Sequence, residues 1–286
     1  RSGLLMNFNG TAGVWRRACI EESGGWEAST LSEDLDLSYR AQLAGWDTLY
    51  LPTVDAPAEL PPQMAAFKRQ QARWTQGSVQ TLRKLGLPIV RSRRLNLVQK
   101  GMALLHLSGY LAHALMVLLL LVTLPLLALG VALPSLGNVG LLMSLGPPLV
   151  YVISQQALYA DWGRRLLLFP LLILIGIGIA WNNLLAIGRG LSRWGGRFAR
   201  TPKFNVSGAR EDAKGKGEGW LDSVYRLGID SSVLGELALA LYALAAVVIA
   251  YSAGRYGMMP FLLLYAAAFG TVAGIELAQA WSPRRN

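Results

Sequence analysis

The sequence predicts part of an α/β domain, followed by an α-helical transmembrane region. Of the 286 residues, 53% are hydrophobic and 15% are charged, a balance that disfavours a wholly water-soluble globule. The charge is also unevenly placed. Residues 1–100 hold 13 of the 27 Lys and Arg and 9 of the 17 Asp and Glu, whereas residues 101–160 hold none of either kind. A polar half therefore precedes a membrane half.

Residues 1–60 combine short apolar stretches with Gly and Pro, as do the strands, loops and short helices of an α/β domain. They contain too little core to fold alone. The clearest predicted element is a helix over residues 33–44, which Gly45 can end. Residues 46–52 then predict a short strand.

Residues 61–100 predict amphipathic helices that lie at a membrane surface. A helix over residues 61–85 begins with two prolines, which suit a first turn, and Gly86 and Pro88 follow it as stop signals. Its apolar stripe is formed by Met64, Phe67 and Trp74, and its basic residues are Lys68, Arg69, Arg73, Arg83 and Lys84.

The membrane half contains apolar runs long enough to cross a bilayer. Residues 101–188 predict transmembrane and interfacial helices, and residues 233–286 predict a transmembrane hairpin with a cytosolic tail. The apolar runs are Gly101–Leu133, Gly140–Ala160, Leu166–Gly188, Val233–Ser252 and Met258–Ala280.

Residues 189–232 predict a cytosolic loop, because nine Lys and Arg fall between residues 189 and 228. Residues 1–100 are placed in the cytosol as well, so an even number of crossings must separate the two segments. Three apolar runs lie between them. One run is therefore interfacial or re-entrant, and the proline and glycines of Leu166–Gly188 favour part of that one.

The charge and the metal-ligating residues narrow the function classes. The net charge of +10 does not predict a nucleic-acid partner, because most basic residues border apolar runs, where positive-inside retention and anionic headgroups account for them. The single Cys19 indicates a free thiol in a reducing compartment. With only His106 and His113 beside it, the chain predicts no zinc site.

The start at Arg1, without an initiator Met or a signal peptide, leads us to expect a piece of a longer protein.

The acids at the start of the first predicted helix are candidates for acid–base chemistry. Thr30 or Ser32 can cap the helix, with Glu33 in capping-box spacing from Thr30. A carboxylate in the first turn lies at the positive end of the helix dipole, which favours its ionised form and leaves it able to accept a proton. Asp34 is therefore a candidate general base. The alternative is that Glu33, Asp34 and Asp36 only stabilise the helix.

A polar and aromatic set on the second predicted helix is a candidate for binding a sugar nucleotide. Gln70, Arg73 and Trp74 stand at i, i+3 and i+4, on one helical face. An arginine can bind diphosphate oxygens and an indole ring can stack on a pyranose. A helix that lies on the membrane, with its Trp at headgroup level, explains the same residues without a substrate.

Two loops are further candidates. Residues 8–13, FNGTAG, are small and polar, which suits a loop whose backbone approaches a ligand and equally suits a tight turn. Residues 198–203, FARTPK, offer an aromatic ring, a hydroxyl and an ammonium that could close over a phosphate. Alone, this hexapeptide indicates little.

Taken in order, FNGTAGVWRRACI, TLSEDLDLSYRAQLAGW, AFKRQQARWTQGS and FARTPK resemble the processive membrane glycosyltransferases of family 2, the cellulose-synthase-like group. The resemblance is closest to the glucomannan mannosyltransferase-like branch and its bacterial relatives. It implies that residues 1–60 are the C-terminal part of a glycosyltransferase A-type domain.

The resemblance also implies roles for individual residues. The family's TED motif reads Ser32-Glu33-Asp34 here, which makes Asp34 the catalytic base and Glu33 a substrate-binding residue. The QxxRW motif, which holds the donor diphosphate and the acceptor end, corresponds to Gln70, Arg73 and Trp74. The remaining assignments are Gly10 and Thr11 in the acceptor-side loop, and Phe198, Thr201 and Lys203 in the gating loop.

The reaction implied by the resemblance is inverting transfer of a hexose from UDP-glucose or GDP-mannose to a growing β-linked polysaccharide. It would take place at the cytosolic face of a multi-pass protein in the cell membrane and be coupled to export. A divalent cation, Mg or Mn, is implied, with ligands expected upstream of Arg1, so this chain alone is expected to be inactive.

Two other functions stay open at this point. The first is a membrane lipid glycosyltransferase that makes a glycolipid instead of a polymer. The second is a multi-span permease or scaffold in which residues 1–100 serve only as an interaction domain.

Overall fold

The computed structural model describes residues 3–131, 137–196 and 227–282, and these ranges are largely helical. The α-helices in chain order are α1 (Arg17–Glu22), α2 (Glu33–Ala44), α3 (Met64–Arg91), α4 (Leu97–Ser108), α5 (Leu111–Ala128), α6 (Gly137–Leu158), α7 (Trp162–Arg165), α8 (Phe169–Gly178), α9 (Ala180–Ser192), α10 (Ser232–Ser252) and α11 (Met259–Trp281). Short 3-10 turns at Leu166–Leu168 and Tyr256–Met258 lead into α8 and α11.

The predicted fold class, an α/β domain forming part of a glycosyltransferase A-type domain, is wrong for the described residues. They contain helices and irregular segments but no strand. Residues 46–52, predicted to be a strand, are irregular, and Leu49, Tyr50 and Leu51 are each more than half exposed. A strand exists only through hydrogen bonds to a neighbouring strand. Apolar residues between Gly and Pro therefore do not distinguish a strand from an extended loop.

Helix α2 has the predicted bounds but not the predicted cap. It ends at Gly45, whose φ of 104° is left-handed and whose N–H donates to the Gln42 carbonyl at 3.1 Å. Ser32 occupies the N-cap position without a side-chain cap hydrogen bond. The Thr30 hydroxyl donates instead to the Ser32 carbonyl at 3.3 Å. The start of α2 is thus held by contacts with the rest of the fold rather than by a capping side chain.

Helix α3 begins three residues later than predicted and continues six residues beyond the predicted end at Leu85. Pro88 lies inside it, where a proline removes a backbone hydrogen bond and costs about 3 kcal/mol. The helix continues because Leu85 and Ile89 are buried in a core with Tyr39 of α2 and Leu107 of α4. Each such side chain contributes about 1.5–3 kcal/mol on burial, so tertiary packing offsets the local stop signal.

The chain folds into two compact units. The first is made of Arg1–Leu115, Ala180–Ser232 and Ile275–Asn286, and the second of Met116–Ile179 and Val233–Gly274. In the second unit, a Cβ on Gly178 would lie 2.5 Å from the Ala268 carbonyl oxygen, so α8 and α11 are in close contact there. The Tyr242 hydroxyl donates to the Leu121 carbonyl at 2.6 Å, which links α10 to α5.

Helix α3 is the centre of the first unit and contacts α2, α4 and α9. A Cβ on Gly190 of α9 would lie 2.9 Å from Val79 Cβ, so these two helices are also in close contact. Near the start of α3, the Lys68 ammonium donates to Glu276 Oε2 of α11 at 2.8 Å, and both side chains are almost completely buried. The helix that carries the QxxRW residues is therefore fixed on several sides.

Three described helical segments are long and apolar enough to cross a membrane, namely Leu111–Ala128, Ser232–Ser252 and Tyr256–Trp281. Trp162–Gly178 and Ala180–Ser192 meet the same criterion only as a bent pair. Such a pair is either a broken span or a re-entrant loop. The break falls within the Leu166–Gly188 run, where the even number of crossings predicts the re-entrant arrangement.

Replacing Ile89 by Ala tests the continuation of α3 past its proline. Because Ile89 is fully buried in the core of the first unit, we expect Ile89→Ala to lower the free energy of unfolding by about 2–5 kcal/mol. The neighbouring Val90 is 51% exposed, and we expect Val90→Ala to change it by less than about 0.5 kcal/mol. Thermal unfolding in detergent measures both, and equal effects at the two positions would contradict the observed helix.

Candidate active site

Asp34 is the second residue of α2, and its side chain is half-buried. Burial raises the pKa of Asp34 above its ordinary value and the charge of Glu33 adds to the rise, while the Leu35 N–H and the Arg73 guanidinium lower it. The Leu35 N–H donates to Asp34 Oδ1 at 2.8 Å. The helix dipole was expected to favour the ionised form, whereas burial, the largest influence on this pKa, favours the neutral form. A carboxylate with a raised pKa is a stronger base.

Asp36, one of the other acids in this turn, has a different environment. It is fully buried, with Oδ1 2.9 Å from Lys84 Nζ of α3 and Oδ2 accepting from Arg40 Nε at 2.8 Å. Lys84 also donates to Glu27 Oε2 at 2.7 Å. Asp36 therefore has a structural role, but one between helices, because its carboxylate joins α2 to α3.

The α3 face predicted to bind the donor begins beside Asp34. Arg73 is half-buried and close enough for its charge to lower the pKa of Asp34. Gln70, one turn earlier on the same face, is also half-buried, while Trp74 has 42% of its surface exposed. The structure thus brings the candidate base and the candidate diphosphate ligand together, with an accessible indole ring on the same turn of α3.

The FNGT loop lies directly on the Asp34 carboxylate. A Cβ on Gly10, whose φ is 74°, would lie 2.7 Å from Asp34 Oδ2, so glycine suits this position in both conformation and size. The Phe8 N–H donates to Ser38 Oγ at 2.9 Å, and the Ser38 hydroxyl donates to the Asp34 carbonyl at 2.5 Å. Thr11 is exposed on the same loop. The loop therefore makes a turn whose backbone covers one side of the candidate base.

Two α3 residues that the motif resemblance passes over make the contact with the start of α2. A Cβ on Gly77 would lie 2.7 Å from Ser32 Cβ and 2.8 Å from its backbone nitrogen. Gln80 Oε1 accepts the Leu31 N–H at 2.9 Å. Gly77 and Gln80 follow Arg73 at i+4 and i+7, which places all three on one helical face. That spacing is the sequence signal by which they could have been found.

The region around this site is shared with known enzymes, since residues 2–181 match the glycosyl transferase family group 2. The chain belongs to this family.

Among similar proteins, the glycosyltransferase is 45% identical over 96 residues to probable glucomannan 4-beta-mannosyltransferase 11 of Arabidopsis thaliana, covering 34% of this chain and 22% of that one. It is 46% identical over 96 residues to glucomannan 4-beta-mannosyltransferase 7 of the same plant, covering 34% and 17%. It is 44% identical over 96 residues to glucomannan 4-beta-mannosyltransferase 1 of Oryza sativa subsp. japonica, covering 34% and 18%. The matched part is about a fifth of the length of these relatives. No solved structure matches the chain.

The predicted gating-loop residues of the glycosyltransferase, Phe198, Thr201 and Lys203, lie outside the described residues. The described chain just before them is fixed to the segment that leads into α2, because the Gly195 N–H donates to the Ser29 carbonyl at 2.8 Å. The gating role stays a prediction from the resemblance.

Glycosyltransferases of family 2 generally use a divalent cation, and the described residues of this one show no metal site of their own. Within them, no group of three or more His, Cys, Asp or Glu side chains could hold a metal. Asp36 is already engaged by Lys84 and Arg40, which leaves Glu33 and Asp34 as the acids of this turn outside that network.

Replacing Gly77 by Ala tests the contact between α3 and α2. Since a new methyl would overlap the Ser32 backbone, we expect Gly77→Ala to lower the free energy of unfolding by about 1–3 kcal/mol and to reduce activity. The matched control is Gly86→Ala on the same helix, where the nearest atom would lie 3.7 Å away. That change should be neutral or stabilising by up to about 1 kcal/mol. Thermal unfolding compares the two, and a harmless Gly77→Ala would refute the contact.

Proposed function

We propose that the protein transfers mannose from GDP-mannose to the growing end of a β-linked polysaccharide, with inversion at the anomeric carbon. The observation that carries this proposal is the half-buried Asp34, with its raised pKa, placed beside Arg73. Membership in glycosyl transferase family group 2 and similarity to glucomannan 4-beta-mannosyltransferases support it. UDP-glucose is the alternative donor.

In the proposed reaction, Asp34 accepts the proton of the acceptor hydroxyl. The acceptor oxygen then forms a bond with the anomeric carbon while the bond from that carbon to the diphosphate oxygen breaks, and the nucleoside diphosphate leaves from the opposite face. Burial suits Asp34 to this role, because a raised pKa makes the carboxylate a stronger base.

The α3 face would act on the donor and on the acceptor end. The Arg73 guanidinium is suited to bind the diphosphate oxygens and to stabilise the negative charge that develops as they leave. The exposed Trp74 indole is suited to stack on the apolar face of a sugar ring, and the Gln70 amide to hydrogen-bond its hydroxyls.

The apolar helices support a location of the proposed reaction at a bilayer. Three described segments have the length and composition of membrane spans. The basic residues of segments 1–100 and 189–228, on either side of the first three apolar runs, favour the cytosolic face for the site. We propose that the polymer leaves through the membrane region as it grows.

The two rival functions differ in their products. A lipid glycosyltransferase would yield one labelled species that extracts into organic solvent, whereas polymer synthesis yields insoluble material that a β-mannanase or β-glucanase digests. A permease or scaffold would release no nucleotide with any donor. Family membership favours an enzyme over that last alternative.

Replacing Asp34 by Asn tests the base directly. Asn keeps the size of the side chain but cannot take a proton at neutral pH, so we expect Asp34→Asn to lower sugar transfer by at least about 100-fold while GDP-mannose binding is retained. The assay is nucleotide release and polymer formation by the complete protein in membranes, with GDP-mannose and UDP-glucose as parallel donors. Asp47→Asn, at an exposed position, is the matched control. Retained turnover in Asp34→Asn would rule out the base assignment.

The pH dependence gives a second test of Asp34. Because the ionised form is active, kcat/KM should fall as the pH drops through the pKa of Asp34, above the ordinary value of 3.8. The Glu33 charge raises this pKa and the Arg73 charge lowers it. Glu33→Gln should therefore move the acid limb of the profile to lower pH, and Arg73→Gln should move it to higher pH. Shifts in the same direction, or no shift in either variant, would show that another group controls the limb.

A further inference from the structure

Two buried glutamines of α3 hold separate parts of the chain together. Gln80 is fully buried, and its amide makes three hydrogen bonds to backbone groups, namely from the Leu31 N–H at 2.9 Å and to the Arg193 and Gly195 carbonyls at 3.0 and 2.8 Å. Gln76 donates to the same Gly195 carbonyl at 3.1 Å. The Gln80 side chain therefore lies between the segment that leads into α2 and the segment that follows α9.

The contacts between α3 and the residues at the start of α2 run in opposite order along these two segments of the chain. Arg73 acts on Asp34, Gly77 contacts Ser32, Gln80 binds Leu31, and Lys84 donates to Ser29 Oγ at 3.1 Å. As the α3 positions advance by one turn at a time, the partner positions move back towards residue 29. The register between Asp34 and Arg73 is thus set by the contacts at the next two turns of α3.

Of the two contacts closest to Arg73 and Asp34, those of Gly77 and Gln80, the Gln80 hydrogen bond is the directional one. The Gly77 contact prevents a closer approach but does not prevent sliding or separation, because van der Waals contact has no preferred direction. A hydrogen bond from the Leu31 N–H to a fully buried amide fixes position along the helix as well as distance. Asp34 follows Leu31 by three residues, so a displacement at Leu31 moves the carboxylate.

We propose that Gln80 is a positioning residue for the proposed base, which it acts on through the Leu31 backbone without touching the substrate. This inference rests on the proposed function. It predicts that Gln80 affects the chemical step more than donor binding, because Gln70 and Arg73, which are proposed to bind the donor, belong to α3 itself and do not depend on the Leu31 bond.

The test is Gln80→Met in the complete protein, assayed in membranes. Met has a similar length but makes none of the three hydrogen bonds. We expect kcat to fall about 10- to 100-fold, as for a catalytic group displaced by about 1 Å, while KM for GDP-mannose changes less than about threefold.

The pH profile separates positioning from a general loss of structure. The charged groups that act on Asp34 are Glu33 of its own helix and Arg73 of α3, and the FNGT loop on its other side contributes no charge. Displacement of Asp34 changes both its burial, which raises its pKa, and its distance from Arg73, whose charge lowers it. The acid limb of kcat should therefore move in Gln80→Met, whereas an unchanged limb would overturn the proposal.

The matched control is Gln63→Met. Gln63 is another buried glutamine at the start of α3, and its amide also bonds backbone groups, donating to the Leu227 carbonyl at 2.6 Å and accepting the Leu227 N–H at 2.9 Å. We expect Gln63→Met to destabilise the fold to a similar extent but to leave kcat and the acid limb unchanged. Equal losses of kcat in the two variants would show that Gln80→Met acts only by destabilising α3, and would overturn the proposal.

If Gln80→Met does not accumulate in membranes, Gln80→Ala replaces it, because the shorter side chain leaves room for water to bond the three backbone groups. The same signature is expected with a smaller loss. Wild-type kcat and acid limb in Gln80→Ala would overturn the positioning role while leaving the proposed function intact. A wild-type protein that releases no nucleotide from GDP-mannose or UDP-glucose would instead overturn the proposed function itself.

Discussion

The close approach of α3 to the first residues of α2 is the constraint on which the arrangement of the candidate site depends. It exists because Gly77 has no side chain where the helix meets the Ser32 backbone. One turn earlier, the same approach brings the Arg73 charge to Asp34, and two turns later it brings Lys84 to the buried Asp36. A larger residue at position 77 would separate both pairs at once, so a packing contact controls the electrostatics of the site.

Two acids in one helical turn have opposite environments. Asp36 is fully buried but lies within hydrogen-bonding distance of Lys84 and Arg40, so its negative charge is balanced and serves to join helices. Asp34 is only half-buried, yet burial is the largest influence on its pKa and the Arg73 charge offsets that influence in part. The same residue type in the same turn therefore acts as a structural element at one position and is the proposed proton acceptor at the other, according to its partners.

Local signals predicted the parts of the structure that depend on local interactions. The bounds of α2 follow from its amphipathic pattern and from Gly45, and the structure confirms them. The end of α3 could not be predicted in this way, because burial of Ile89 among residues of α2 and α4 outweighs Pro88. The predicted strand at residues 46–52 was wrong for a related reason: pairing requires a partner, and no pattern within the segment reports whether one is present.

In the candidate site, too, the sequence predicted some residues and missed those whose role depends on distant contacts. The resemblance selected Asp34 and Arg73, which the structure brings close together, but it passed over Gly77 and Gln80. Their importance lies in contacts with Ser32 and Leu31, more than forty residues away in the sequence. A glycine and a glutamine in a helix have no chemical signature of their own, so only their spacing from Arg73 pointed to them.

The buried Lys68–Glu276 pair joins residues that are 208 positions apart, and this separation constrains the order in which the chain folds as it is synthesised. An ammonium without its counter-ion is costly to place in a nonpolar interior. Until the ribosome has added α11, the beginning of α3 therefore has reason to stay hydrated. The helix that carries Arg73 can reach its final position only after α11 has been synthesised, so nascent chains that stop short of α11 lack a fixed α3.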